Sequence, residues 1–368
     1  MEGVERQGMK LRIYSDKMFL PKGVWHVMML YPFWGSKPEN ERDPGYGAFD
    51  KYARIGHDYF DMTPIQNADY AVLPFDWTHT LHNKTILKLA LRFIDIARKW
   101  NKKTIVFFGN DSEEPILIDD IIVFRPSLYK SRRRHDEYAM PALSVDFNKY
   151  IDGSHHQNHV KQIKPRVGFC GSGNVKEEMS TNTMIKRVLL RTMQLSFDYR
   201  KLLNPGIFMR GFSLYLLSER HDINTSFIIK NEFFGGAIKP RTGNDYELMN
   251  NARIEYVNNM LNTDYNVCCR GNGNFSFRFY ETMSCGRIPV FINTDCVLPY
   301  DFIIDYPKHI VWAEEKDIMK LPDNLCAFHN KLSPAELIEA QQKCRKIWVE
   351  YLSPEGFFKN LYRHFRGI

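Results

Sequence analysis

The stretch Cys268–Tyr300, CCRGNGNFSFRFYETMSCGRIPVFINTDCVLPY, decides the reading of this chain. It reads as the end of a strand, a loop rich in Gly and Asn, a helix opening near Ser276, and a second strand from Ile288 to Ile292. A helix N-terminus has free N–H groups and partial positive charge, which suits a phosphate. Arg270 and Arg278 add planar donors able to grip diphosphate oxygens bidentately. Glu281, early in the helix, is an acceptor for two sugar hydroxyls, as acidic residues are for ribose in dinucleotide sites. Asn274, Ser276 and Phe277 complete the junction of loop and helix. Together these groups suit a nucleoside diphosphate carrying a sugar.

Working outward, the strand Tyr265–Cys269 feeds this stretch and follows a helix at Asp245–Met260 and a strand at Ser226–Ile229. The same unit opens with the strand Arg166–Cys170, then Gly171-Ser172-Gly173 and a helix near Thr183–Leu195 bearing Lys186, Arg187 and Arg191. Ligands of open α/β sheets sit beyond the carboxyl ends of the strands, so both loops can meet at one crevice. Gly171, Ser172 and Arg187 therefore join the candidate donor-binding set. The Gly-Ser-Gly turn reads equally well as a tight structural turn. Lys186, Arg187 and Arg191 read equally well as a solvated face.

The first half alternates strand and helix signals. Candidate strands are Lys10–Tyr14, Trp25–Leu30, Tyr70–Leu73, Thr104–Phe108 and Ile121–Phe124. Between them, Lys84–Trp100 places Ile86, Leu87, Ala90, Phe93, Ile94, Ala97 and Trp100 on one helical face. Such alternation predicts parallel sheets covered on both sides. Asp152–Lys164, DGSHHQNHVKQIK, is polar and aperiodic and reads as a linker, and its histidines read as part of a solvated hinge rather than as a metal set. The expected units are residues 1–152, residues 165–333, and a C-terminal amphipathic helical segment at 334–368.

The order Arg270-Gly271, Ser276, Arg278, Glu281 and Gly286-Arg287-Ile288-Pro289-Val290-Phe291 resembles the C-terminal signature of exostosin-type glycosyltransferases. Ala68-Asp69-Tyr70-Ala71-Val72-Leu73-Pro74-Phe75 is similar to that family's segment of acidic residue, apolar strand and Pro-Phe. Trp100-Asn101 with Phe107-Phe108-Gly109-Asn110-Asp111 is a weaker match. Arg287 stands where many members carry Cys, which implies altered charge near the donor. The resemblance, to the short, soluble microbial or viral members, implies a GT-B-like fold: two Rossmann-like domains with a cleft between them. It also implies an inverting enzyme that takes a sugar from a UDP-sugar to a glycan hydroxyl, with the C-terminal segment crossing back to the first domain.

Composition bounds these readings. The 368 residues are 44% apolar and 25% charged, which fits two folded domains and excludes a disordered chain. Net charge is +7, favouring anionic ligands without the dense patterning of a nucleic-acid binder. Seven cysteines without CxxC spacing fit a reduced, cytoplasmic chain. No run of about 18 apolar residues marks a membrane span. The sequons at Asn83, Asn224 and Asn274 read as chance.

No two aspartates are spaced i, i+2, so the Asp-x-Asp of metal-dependent transferases is missing. The expectation is a metal-free site, with no cofactor beyond the nucleotide-sugar, in which arginines and a helix N-terminus hold the leaving diphosphate. An inverting transfer needs one base, expected from the first domain: Asp111 first, then Asp76 or His79. Asp111 reads alternatively as a turn or cap residue. Two other functions remain open: a non-catalytic nucleotide-sugar or glycan-binding protein, and an RNA-binding protein using Arg132, Arg133 and Arg134 with Tyr129 and Tyr138.

Overall fold

The computed structural model describes residues 10–43, 45–150, 160–173, 205–230 and 243–365. Two all-parallel sheets carry the fold. The first contains β1 (Leu11–Tyr14), β2 (Phe60–Met62), β3 (Tyr70–Val72), β4 (Thr104–Phe107), β5 (Ile121–Arg125) and β6 (Glu137–Ala139), in the order β2-β1-β3-β4-β5-β6. The second contains β7 (Arg166–Ser172), β8 (Asn224–Lys230), β9 (Tyr265–Cys268), β10 (Ile288–Asn293) and β11 (Val311–Glu314), in the order β11-β10-β9-β7-β8. Each sheet thus places its second strand outside its first and runs outward from its third, so each has a switch point between first and third strands. Ligands of doubly wound sheets lie beyond the carboxyl ends at that point. The result is the GT-B arrangement of two Rossmann-like domains.

The helices are α1 (Tyr31–Trp34), α2 (Asp50–Ile55), α3 (Lys84–Lys99), α4 (Pro205–Ser218), α5 (Gly243–Leu261), α6 (Phe277–Ser284), α7 (Leu321–Lys331), α8 (Pro334–Ile347) and α9 (Pro354–Asn360). α3 opens at Asn83, whose side chain accepts from Thr85 N and Ile86 N, and it buries Ala90, Phe93, Ile94 and Ala97 against the first sheet. β4 and β5 are buried along their whole length, as parallel strands covered on both faces must be.

One segment differs from the sequence expectation. Trp25–Leu30 is not a strand: Met28–Leu30 is a 3-10 turn running into α1, with Val27 N donating to Pro74 O. A short apolar run can be buried as a turn as readily as a strand, and Pro32 starts a helix here. The described part of the C-terminal helical segment, 334–365, is divided. It breaks at Ser353-Pro354 after a π-helical turn, Trp348–Leu352, because Pro cannot continue the hydrogen-bond ladder. α9 and the turn after it then pack on the first sheet and on α2, with Phe358 against Phe107 at 6.2 Å and stacked on Tyr52 of α2 at 4.2 Å, and His364 against Phe124 at 5.1 Å.

The domains are also joined directly. Residues 127–133 run antiparallel beside 294–297: Lys130 N donates to Asp295 O at 2.8 Å, Val297 N to Leu128 O at 3.1 Å, and Tyr129 bridges Cys296. All seven cysteines are free, and all but Cys326 are buried. Among the described residues no helix is long and apolar enough to cross a membrane. The expected linker falls largely on residues outside the described set.

Candidate active site

A cavity of about 620 Å³ opens at the carboxyl ends of β7, β8 and β9, at the switch point of the second sheet. Gly171 and Ser172 end β7, Lys230 ends β8, and Cys269, Gly271, Asn272 and Gly273 follow β9. α6 points its N-terminus into this space with Ser276, Phe277, Arg278 and Glu281 on the lining. Ser276 is the N-cap, yet its side chain makes no cap hydrogen bond. The first-turn N–H groups are therefore not covered by it, as an anion site requires. Among the described residues, Asp111 alone reaches the lining from the first domain.

Arg278 lies over the Phe169 ring, 3.9 Å from its centroid, and Tyr256 flanks it at 5.1 Å. One arm is fixed, since Nη2 donates to Cys170 O at 2.7 Å. The other, Nη1, is buried without a partner among the described residues. A buried cationic donor left unmade costs more than a neutral one, so its place in a cavity marks it for an anionic ligand. Gly171 makes this placement possible: its φ is +149°, and a Cβ there would come within 2.9 Å of Arg278 Nη2.

Glu281 is buried and doubly held. Arg253 Nη1 donates to Oε1 at 3.2 Å and the Tyr256 hydroxyl donates to Oε2 at 2.5 Å. Burial first, then Glu281, lifts the Tyr256 phenol well above its ordinary range. Arg253 and Tyr256, one turn apart on α5, fix the carboxylate while leaving it further lone pairs. Arg210 of α4 closes another wall, donating to Ser172 O at 2.8 Å and Arg270 O at 3.3 Å. Lys230 pairs with Glu255.

Three expected site residues serve other ends. Arg270 does not line the cavity. Its guanidinium donates to Tyr129 Oη and to Asn272 O at 2.6 Å, and pairs with Glu113 Oε1 at 3.3 Å. Asn274 is fully buried and structural: its amide N donates to Ser127 Oγ at 2.9 Å and its side chain exchanges bonds with Thr294. Asp76 caps a turn, accepting from Thr78 N and Gly109 N at 2.8 Å each. His79 is exposed on that turn and does not line the cavity. Arg187 lies outside the described residues. Gly171, Ser172, Ser276, Phe277, Arg278, Glu281 and Asp111 are brought together.

Asp111 stands exposed at the rim. The surrounding protein raises its pKa by desolvation, while Arg270 and the Gly273 amide pull it down. Arg287 is nowhere near the lining: it donates to Leu261 O at 3.2 and 2.9 Å and so caps the C-terminal end of α5. The charge near the cavity is unaffected by it. In the run Arg132–Arg134, Arg132 pairs with Glu113 inside the first domain and Arg133 with Asp301 of the second, so one of the three arginines ties the domains together.

Sequence reading missed Arg210, Lys230, Arg253 and Tyr256. Arg253 and Tyr256 had a usable signal, their i, i+3 spacing on a recognised helix. Lys230 sits where a recognised strand ends. Arg210 had none, because its helix went unread.

Two Rossmann-like domains, with a cavity at the second sheet's switch point lined by an arginine, a helix N-terminus and a buried carboxylate, make up a GT-B-like architecture. Residues 218–327 match the family model of the exostosin GT47 domain. Over this stretch the chain is similar to exostosin glycosyltransferases. It is 32% identical over 100 residues to Exostosin-1 of Drosophila melanogaster, covering 27% of this chain and 12% of that protein. The Exostosin-1 homolog of Caenorhabditis elegans is 29% identical over 100 residues, 27% of this chain and 25% of its own length. The match thus spans at most a quarter of these two relatives. A solved structure, "Crystal structure of GtfA/B complex bound to UDP and GlcNAc", aligns over 80% of this chain and 56% of its own, at a TM-score of 0.29 and 8% identity. That likeness adds nothing to the topology described above.

Proposed function

We propose that this chain is an inverting glycosyltransferase that moves a sugar from a nucleotide-sugar, by default UDP-linked, to the hydroxyl of a glycan acceptor without a metal. The observation that carries the reading is the unpartnered Nη1 of Arg278, on a cavity wall at the N-terminus of α6. Arg278 and the first-turn amides would take the diphosphate and stabilise its charge as it leaves. Glu281, held by Arg253 and Tyr256, would accept the ribose hydroxyls. Asp111 is the carboxylate across the cavity, and its raised pKa suits a base that must take a proton from the acceptor. The missing Asp-x-Asp motif supports the metal-free version.

The test is a thermal-shift screen across UDP, GDP, CMP and their sugars, with and without EDTA. UDP and UDP-sugars should raise Tm equally in both conditions. Stabilisation at about 100 times the dissociation constant corresponds to roughly 2.7 kcal/mol. No shift with any nucleotide would reject the reading, and a shift abolished by EDTA would reject its metal-free part.

A further inference from the structure

The loop after β9 and the loop after β4 belong to different domains, yet they form one hydrogen-bonded unit. Arg270 Nη2 sits 3.3 Å from Glu113 Oε1. The Tyr129 hydroxyl donates to the same Oε1 at 2.6 Å and accepts from Arg270 Nη1. Two residues before Glu113, the Asp111 carboxylate accepts the Gly273 amide. Gly273 has no room for a side chain, since a Cβ would lie 2.9 Å from Asp111 Oδ1 and 2.6 Å from the Phe275 ring. Beneath the loop, Arg125 donates to Ser112 O and, at 3.0 Å, to Glu114 O.

We propose that Arg270 and Glu113 are positioning residues, which bolt the loop bearing Asp111 to the segment that opens the donor site and so hold Asp111 at the cavity rim. This deepens the functional reading, since it matters for catalysis only if Asp111 is the base. Arg270 is buried with its charge on one carboxylate and its other bonds on Tyr129 and Asn272. A residue placed in this way fixes geometry rather than gripping phosphate.

The pair also tunes Asp111. Among the described residues, the charged and titratable groups nearby include Glu113 and Glu114 on its own loop, Arg125 beneath, Tyr129 and Arg132 from residues 127–133, Arg270 from the donor loop, and Arg210, Lys230, Arg253, Tyr256, Arg278 and Glu281 on the same cavity. Of these, Arg270 draws Asp111 toward ionisation. Glu113 neutralises part of that charge and is itself a like charge. Removing Arg270 must therefore raise the Asp111 pKa, and removing the Glu113 charge must lower it. A loop that merely came loose would expose Asp111 to water in both variants and move both downward.

The experiment follows the Gly273 amide of the full, ligand-free chain by 15N NMR through a pH titration, with Asp111→Asn identifying the Asp111 step by its disappearance. Arg270→Met should shift the midpoint up and Glu113→Gln should shift it down. Arg270→Lys, which keeps the charge and loses the fork, should titrate close to wild-type. Midpoints moving in one direction in both charge variants, or not moving, would overturn the proposal. So would an Arg270→Lys midpoint as high as that of Arg270→Met. The base assignment is read separately from the acidic limb of kcat/KM for UDP-sugar hydrolysis. If the amide midpoints shift as stated and that limb stays put, the positioning stands and the base is another residue.

Discussion

Arg278 and Phe169 form a stacked pair, guanidinium carbon 3.9 Å from ring centroid, and the pair fixes a cation at the mouth of the second sheet's switch point. Phe169 lies on β7 and Arg278 on α6, so strand and helix jointly aim the side chain. Stacking against a ring suits a planar guanidinium and keeps its edge free for hydrogen bonds.

Gly171→Ala tests how tightly this aim is set. The change puts a Cβ at a φ few L-residues adopt and 2.9 Å from Arg278 Nη2. Arg278 must swing away, so UDP affinity should fall while the far-UV spectrum stays native. Calorimetric titration of both proteins with UDP checks it.

Much of this arrangement was legible in the sequence, and the failures have physical causes. The strand, loop and helix around Ser276 could be read because glycines, an N-cap and apolar periodicity all agree there. Arg270 and Arg278 look alike in sequence, and only burial separates them: one faces Glu113 across the domain boundary, the other faces the cavity. Long-range pairing of that kind leaves no local pattern. Asp76 caps its own turn, and a capping aspartate and a catalytic one share the same neighbours in sequence. Trp25–Leu30 failed because a short apolar run does not distinguish a strand from a buried turn.

Glu281→Ala should weaken both uridine and UDP, because the lost contact is to the ribose. It also takes the carboxylate away from Arg253 and Tyr256, so stability should fall by about 1–3 kcal/mol. Tyr256→Phe removes one hydrogen bond from the same carboxylate and should cost about 1 kcal/mol. Urea melts and uridine titrations separate the two effects.

Asp111→Asn should leave UDP affinity intact, since Asp111 contributes none of the donor grip. Turnover should fall by roughly 10²–10⁴, the usual contribution of a general base. If Asp111 only shapes its turn, Asn serves nearly as well and activity drops less than a few-fold. Initial rates of sugar transfer or UDP-sugar hydrolysis at saturating donor decide between these.

His364 makes stability depend on pH. It is buried among Phe124, Tyr138, Tyr300 and Phe302, and burial lowers its pKa to about 4. The unfolded chain takes up a proton near pH 6.5 and the folded chain does not until far lower, so stability falls as pH drops through that window. The loss should total roughly 3 kcal/mol between pH 6.5 and 4. Urea denaturation across this range should show the slope, and His364→Phe should flatten it.

The central claim is that Arg278 holds a nucleoside diphosphate without help from a metal. Isothermal titration of UDP into wild-type and Arg278→Met, both in EDTA, tests it most directly. A charge-assisted hydrogen bond contributes about 1.5–3 kcal/mol, so the variant should bind UDP roughly 10- to 150-fold more weakly while wild-type binding persists in EDTA. Equal affinities in the two proteins, or no binding by wild-type until a divalent cation is restored, would contradict the account.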